Sequence, residues 1–444
     1  MAILSKQIGW SQESNLLWEL LRKIDRLNGI VAASRSANDP TNIVFAPSTS
    51  QDSFGRLRIS QPFTLFDSSH RYADNNLWST AIVTGGAAVF NANQGLVDLN
   101  VTAASGSSVT RETIKVFSYQ PGKSLLVLNT FVMSAAKAGL TQRVGYYGGE
   151  NGFYLEQADT AISFVKRSIV TGSIVNTPVL QADWNGDKLD GTGPSKLTLD
   201  LTKAQILWMD LEWLGVGSVR MGFVINGQFI LCHTFNHANI IASTYITTAS
   251  LPLRYEIFNT AGTPGASTLK QVCSTVISEG GYELSGLQQS AGTLITAPKT
   301  FAVAGTYYPI VSIRLKSTRL DAVVIVTAIS LLGIGNGKNY QWRIVASATT
   351  TGGLWVDAGV NTAVQYNLTG SSASGGRILA SGFVNSSNQG SPSINILKEA
   401  LFANQLERDG LTGTPYEVVI EMAVATTSGG EGAFASIDWE EVSR

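Results

Sequence analysis

Apolar and polar positions alternate at a period of two along most of this chain, and apolar density peaks from Gln205 to Phe235, QILWMDLEWLGVGSVRMGFVINGQFILCHTF. β-Branched and aromatic residues fill the stretch, and two turn signals, Gly215-Val216-Gly217 and Asn226-Gly227, cut it into three. The pattern predicts three consecutive antiparallel strands. Asn followed by Gly reaches positive φ at both central positions of a type I′ turn at the least steric cost, so the second break reads as a tight hairpin.

Strand-like runs continue on both sides, at residues 96–101, 113–119, 124–133, 142–147, 152–157, 161–167, 253–258 and 268–277. The turns between them are short and rich in Gly and Pro, and no long amphipathic helices alternate with them. That argues against a parallel βαβ sheet and for an antiparallel sandwich or jelly roll. A polar, Gly-rich stretch, SEGGYELSGLQQSAGTLITAPKT at 278–300, reads as a domain boundary. Beyond it, strands are expected at 308–315, 322–332, 340–346, 353–356, 414–425 and 433–442, with a helix at 393–409.

The N-terminus has a different period. Leu17, Leu20, Ile24, Leu27 and Val31 fall at alternating spacings of three and four, and Trp10 extends the same stripe upstream. Ser11 or Ser14 can cap this helix, and Gly29 loosens its end. Such a stripe either packs on its own domain or zips copies of the chain together. The small, polar, Pro-bearing run AASRSANDPTNIVFAPSTSQDS that follows reads as an extended arm and favours self-association or docking. The expected organisation is all-β: a helix (1–35), an arm (36–53), a first sandwich (54–280), a linker (281–305) and a second sandwich (306–444).

Composition narrows the function. A length of 444 residues suits two sandwich-sized domains. Charged residues make up 14% of the chain, against about 25% in average soluble domains, and Gly, Ser, Thr and Asn take their place. The resulting surface is rich in hydroxyls and amides, as in many extracellular or particle-bound β-proteins. With 31 basic and 32 acidic residues scattered without blocks, the chain lacks the electrostatic footprint of a nucleic-acid binder. Cys232 and Cys273 sit in apolar runs and read as buried thiols of a protein folded in a reducing cytosol. MAILSKQIGW lacks the features of a secretory signal, and the longest apolar run, 322–335, is too short to span a bilayer. No membrane insertion is expected.

Candidate chemistry is sparse. Asp210 and Glu212 would share one face of a strand at ~6.6 Å, a spacing at which two carboxylates could flank a glycosidic bond as acid and nucleophile. The further acid that lectin-like glycosidases carry is missing, so the bland reading is the polar face of a half-buried strand. His233 and His237 in HTFNH would lie ~13 Å apart on a strand, too far for one ion. Asp183, Asn185 and Asp187 stand at calcium-loop offsets, but Lys188 replaces the required Gly and Pro194 the closing Glu. PGKS (121–124) and GIGNGK (333–338) lack the strand-to-helix context of phosphate and dinucleotide loops and read as turns. Trp78, Trp184 and Trp355 lie near loops or strand ends, where sugar-stacking platforms compete with ordinary packing. No catalytic constellation, metal site or cofactor is expected.

Several segments together resemble virion structural proteins of marine phages, particularly those of cyanobacteria, with relatives in large algal viruses. They are IGWSQESNLLWELLRKIDRL, FGRLRISQPFTLFDS, YQPGKS, GLTQRVGYYGGENGFYLE, WNGDKLDGTGPSKLTLD, the 205–235 meander, LPLRYEIFN and CSTVISEGG, covering residues 5–30 and 54–281. The meander, with its glycine turn and NG turn, also resembles the concanavalin-like jelly roll of lectins and laminin-G domains. The resemblance implies a non-enzymatic virion protein assembled in the host cytoplasm, as a homotrimeric tail, fibre or baseplate component. Its partners would be copies of itself, other virion proteins and a host-surface glycan. Capsid decoration, a glycan-binding adhesin and a depolymerase using Asp210 and Glu212 are the alternatives.

Overall fold

The computed structural model describes residues 19–24, 35–36, 39–43, 61–387 and 404–443. They belong to two units, 1–61 and 62–444. In the first unit residues 19–24 are helical, and Leu20, Leu21 and Ile24 are exposed. Leu17, Leu27 and Val31 of the expected stripe lie outside the described residues. β1 (Arg35–Ser36) pairs antiparallel with β2 (Asp39–Ile43), so a short ladder occupies the start of the segment expected to be an extended arm.

The second unit holds two antiparallel β-sandwiches of jelly-roll type. The first comprises β3 (Phe63–Ser69), β4 (Trp78–Val83), β5 (Ala87–Asn91), β6 (Leu96–Val101), β7 (Ser108–Thr113), β8 (Leu125–Val132), β9 (Leu140–Tyr147), β10 (Gly152–Ala158), β11 (Ala161–Ser168), β12 (Val175–Leu180), β13 (Gln205–Leu211), β14 (Val219–Ile225), β15 (Gln228–Phe235), β16 (Leu253–Asn259) and β17 (Ser267–Ser278). One sheet runs β12-β11-β10-β9-β16-β7-β4, and the facing sheet runs β15-β14-β13-β8-β17-β6-β5, with β3 also paired to β17. Period-two patterning does the sorting. Along β8 every second residue is buried, and Leu125, Val127 and Phe131 meet Leu207 and Met209 of β13 and Tyr255 and Ile257 of β16 in one core. Each such side chain contributes about 1.5–3 kcal/mol on leaving water.

The meander folds as its pattern predicts. β13, β14 and β15 are sequential neighbours, and Asn226 and Gly227 adopt φ of 53° and 76° between the last two. The expected strand at 113–119 is a correction, because the ladder strand is β7 and ends at Thr113. Past it the backbone bonds elsewhere: Phe117 makes a single bridge to Leu251, and the carbonyls of Ile114 and Val116 accept from Arg408 and Gln405.

The second sandwich comprises β18 (Leu287–Gly292), β19 (Lys299–Thr300), β20 (Tyr308–Leu315), β21 (Val323–Ile334), β22 (Asn339–Thr351), β23 (Val356–Asp357), β24 (Val364–Asn367), β25 (Ser372–Asn385), β26 (Arg408–Asp409), β27 (Thr414–Pro415), β28 (Glu417–Val424) and β29 (Gly432–Ser443). β18, β19 and β21 flank β29 in one sheet, and the other runs β23-β24-β20-β28-β22-β25. The linker expected at 281–305 is a second correction, because β18 and β19 lie within it and pair with β29. Most of the expected helix at 393–409 lies outside the described residues, and its last two residues form β26, paired with β27.

Residues 405–408 join the sandwiches. Gln405 bridges Ile325 and donates to the Val116 carbonyl at 2.8 Å, while the Leu406 N–H reaches the Val324 carbonyl. Arg408 donates to the Thr113 carbonyl at 2.9 Å and pairs with Glu112 at 2.7 Å. Arg254 holds the other Glu112 oxygen at 2.8 Å. Beside these contacts Val116, Val323 and Ile325 pack as a small apolar cluster.

Candidate functional site

In register, Leu211 of β13 faces Leu125 of β8 on one side and Val219 of β14 on the other. The Gln120–Ser124 turn before β8 and the turn after β13 therefore meet at one end of the sheet. Both turns are set by sequence. Pro121 and Gly122 (φ 85°) take the central positions of the first, and the Lys123 N–H closes it on the Gln120 carbonyl. The second closes through the N–H groups of Val216 and Gly217 on the Trp213 carbonyl. Between them opens a cavity of about 460 Å³ lined by Tyr119, Lys123, Asp210, Glu212, Leu214 and Arg220, with Gly122, Ser124 and Ser218 at its edge.

Asp210 lies between the core residues Met209 and Leu211 and so points away from the core. Arg220 stands opposite it in register and pairs with it. Burial pushes the Asp210 carboxyl above the usual range. The Arg220 guanidinium works against that push, and Glu279 and Glu212 add to it. Glu212 is exposed and accepts from the Ser218 N–H at 3.3 Å and hydroxyl at 3.2 Å. β13 ends at Leu211, so the expected same-face spacing of Asp210 and Glu212 is a correction: Glu212 belongs to the turn. The two carboxylates line one cavity, yet Asp210 is bound by a cation and Glu212 by a serine. A glycosidase pair needs a protonated acid facing a free base or nucleophile across the bond to be cut.

Tyr119 forms part of the cavity wall and is 7% exposed. Its ring meets Trp213 edge-on at 6.0 Å. The Trp213 indole N–H has no hydrogen-bond partner among the described residues. Burial raises the Tyr119 pKa, opposed by hydrogen bonds to its hydroxyl from the backbone of Trp213, Gly122 and Leu214. Tyr119, Lys123 and Arg220 were not foreseen as site residues. Arg220 could have been found, because it faces Asp210 across the glycine turn once the hairpin register is known.

The other sequence candidates disperse. Trp184 is buried, stacks on Phe164 at 4.3 Å and donates to the Val179 carbonyl, so it is a core residue and no sugar platform. Trp78 is likewise buried, donating to the Ser68 hydroxyl, while Trp355 lies under the Arg314 guanidinium. His233 accepts from the Asn185 N–H. His237 bonds the Gly217 carbonyl and stacks on Tyr245. In the 183–190 loop, Asp187 takes the N–H groups of Leu189 and Ser195, and Asp190 binds Thr192. Among the described residues no cluster of acids, histidines and cysteines could hold a metal ion.

A second polar cluster covers the outer face of the β9–β11 sheet. Tyr147 and Tyr154 pack at 4.4 Å, with Arg143, Arg167 and Arg254 over their rings. Arg143 pairs with Glu156 and Glu256, Arg254 with Glu112, and Arg167 bonds Asn176. Tyr147 and Tyr154 are fully buried beneath these pairs.

No protein-family profile and no curated protein matches the sequence. Solved structures do resemble it in fold. A β-1,3-glucanase from Mycobacterium marinum aligns over 49% of this chain and 99% of its own at 10% identity, with a TM-score of 0.34. The legume lectin-like domain from Entamoeba histolytica aligns over 49% and 97% at 12% identity and 0.28. The Emp47p carbohydrate recognition domain aligns over 53% and 99% at 11% identity and 0.30. At such scores the function is left to the geometry of this chain.

Proposed function

We propose that this protein is a non-enzymatic structural component of a virus particle, in which the N-terminal helix gathers copies and the paired sandwiches form a stiff body for assembly or host-surface contact. The observation that carries the reading is the 405–408 joint. It ties the sandwiches by buried ion pairs, backbone hydrogen bonds and an apolar cluster, as a load-transmitting part requires. The exposed Leu20 and Ile24 on residues 19–24 support the gathering role. The sequence resemblance supports the particle context, with a homotrimeric tail, fibre or baseplate part as its specific form. Native mass of the full chain and of a variant lacking residues 1–35 tests it. A trimer that dissociates on truncation is expected, and a monomer in both forms overturns the self-association.

A further inference from the structure

We infer that the interior of the first sandwich, beside a bulge in β17, is a binding site for a small cluster of internal water molecules that His70, Gln271, Asn129 and Arg111 hold between the two sheets. The inference does not rest on the assembly reading, because it concerns the fold of a single copy.

The backbone brings these residues together. β6 lies against β17 as far as Gln271, β3 takes over from Cys273, and between them Val272 is the extra residue by which the ladder to β8 slips. The slip turns Gln271 and Ser274 to the same side. Gln271 follows the core residue Leu269 and Ser274 precedes the core residue Val276, so that side is the interior. Asn129 of β8 stands opposite Ser274 in register, and Ser68 of β3 does so from the other edge. His70, two residues past Ser68 and fully buried, extends the same row. From the facing sheet come Tyr255 and Arg111, which are neighbours in register. The Tyr255 hydroxyl meets the Ser274 hydroxyl at 2.9 Å, and the two terminal nitrogens of Arg111 hold Asp74 at 2.8 Å.

The polar atoms left over select the ligand. Oε1 and Nε2 of Gln271, Nδ2 of Asn129, Nε of Arg111 and both ring nitrogens of His70 have no hydrogen-bond partner among the described residues, and none of the four residues is more than 1% exposed. Asp74 comes no nearer to His70 Nδ1 than 3.6 Å, beyond hydrogen-bond reach. Buried polar atoms are ordinarily paired, and leaving them bare is costly. The set mixes roles: the amide NH2 groups and the Arg111 Nε–H donate, Gln271 Oε1 accepts, and the His70 ring, kept neutral at pH 7 by burial and by Arg111, offers one of each. Water donates and accepts at once. A cation finds no free carboxylate, because Arg111 holds both oxygens of Asp74, and Asp74 in turn offsets the charge that would draw an anion. At roughly three contacts per buried water, these atoms suit about two molecules. Shut off from solvent, the site suits a molecule small enough to enter by brief local opening.

Magnetic relaxation dispersion of the water oxygen counts long-lived internal waters, and measured on the full chain and on Gln271→Leu and His70→Phe it tests the assignment. Each variant exchanges polar atoms for an apolar group of similar size. The loss of about one long-lived water or more from each is expected, with a cooperative urea unfolding curve showing that the sandwich still forms. An unchanged dispersion in both folded variants overturns the inference. Crystals of the native chain supply a readout that needs no variant. Solvent density within hydrogen-bond distance of Gln271 and His70 is expected there, whereas an empty chamber, or an anomalous peak from a bound halide in crystals grown with bromide, overturns it.

Discussion

His70 is fully buried beside the Arg111–Asp74 pair, in which the two terminal Arg111 nitrogens each reach a carboxylate oxygen at 2.8 Å. Burial first, then the Arg111 charge, lowers its pKa to about 4, with Asp74 only partly opposing. In the unfolded chain the same group titrates near 6.5. Between those values the unfolded state binds the extra proton, so stability is whole above about pH 6.5 and falls as pH drops toward 4, by on the order of 3 kcal/mol in all. Denaturant midpoints measured from pH 7 to pH 4 should show this slope in the native chain and a flatter one in His70→Gln. No motif announced this residue, because only the fold brings Arg111 from another strand to lie over it. The candidate site was legible in the same partial way. Asp210 and Glu212 stood out as acids two apart, whereas the guanidinium of Arg220 gained meaning only when the hairpin register set it opposite Asp210.

At the scale of elements, the 205–235 meander was the most readable part of the chain, because dense apolar runs and an Asn-Gly turn agree on one answer. Two of its glycines separate backbone freedom from space. A Cβ at Gly227 meets nothing within 4 Å, so Gly227→Ala has only the left-handed backbone to strain and should cost about 1–2 kcal/mol. A Cβ at Gly222, opposite the bulge at Cys232 of β15, would stand 1.9 Å from the Ile230 carbonyl oxygen and 2.9 Å from the Trp208 indole nitrogen. Gly222→Ala should cost more than about 4 kcal/mol, and equilibrium urea unfolding of the two variants tests the contrast. β18 and β25 escaped the sequence reading for a shared reason. LQQSAG and SASGGRILASGFVN are mostly exposed, with few residues facing a core, so their strand state comes from hydrogen bonds to β29 and β22 rather than from patterning.

For the whole molecule, two sandwiches were foreseen, but their joint was not, since polar contacts made by residues distant in sequence leave no periodic trace. Glu112 is 2% exposed and holds Arg254 and Arg408 at once. Glu112→Ala would strand two guanidinium groups, a loss of about 3–5 kcal/mol. Calorimetry should show one transition for the native chain and two for the variant, as the sandwiches cease to melt together. The same joint also has a timetable. Arg408 and its partner Thr113 are 295 residues apart, which at ~5–20 residues per second is a wait of roughly 15–60 s during synthesis. Arg254 reaches Glu112 much sooner, across 142 residues, so the first sandwich can close on the ribosome with one carboxylate oxygen still open to water. That oxygen is filled only when Arg408 has been made, and a copy terminated before it therefore never acquires the lock.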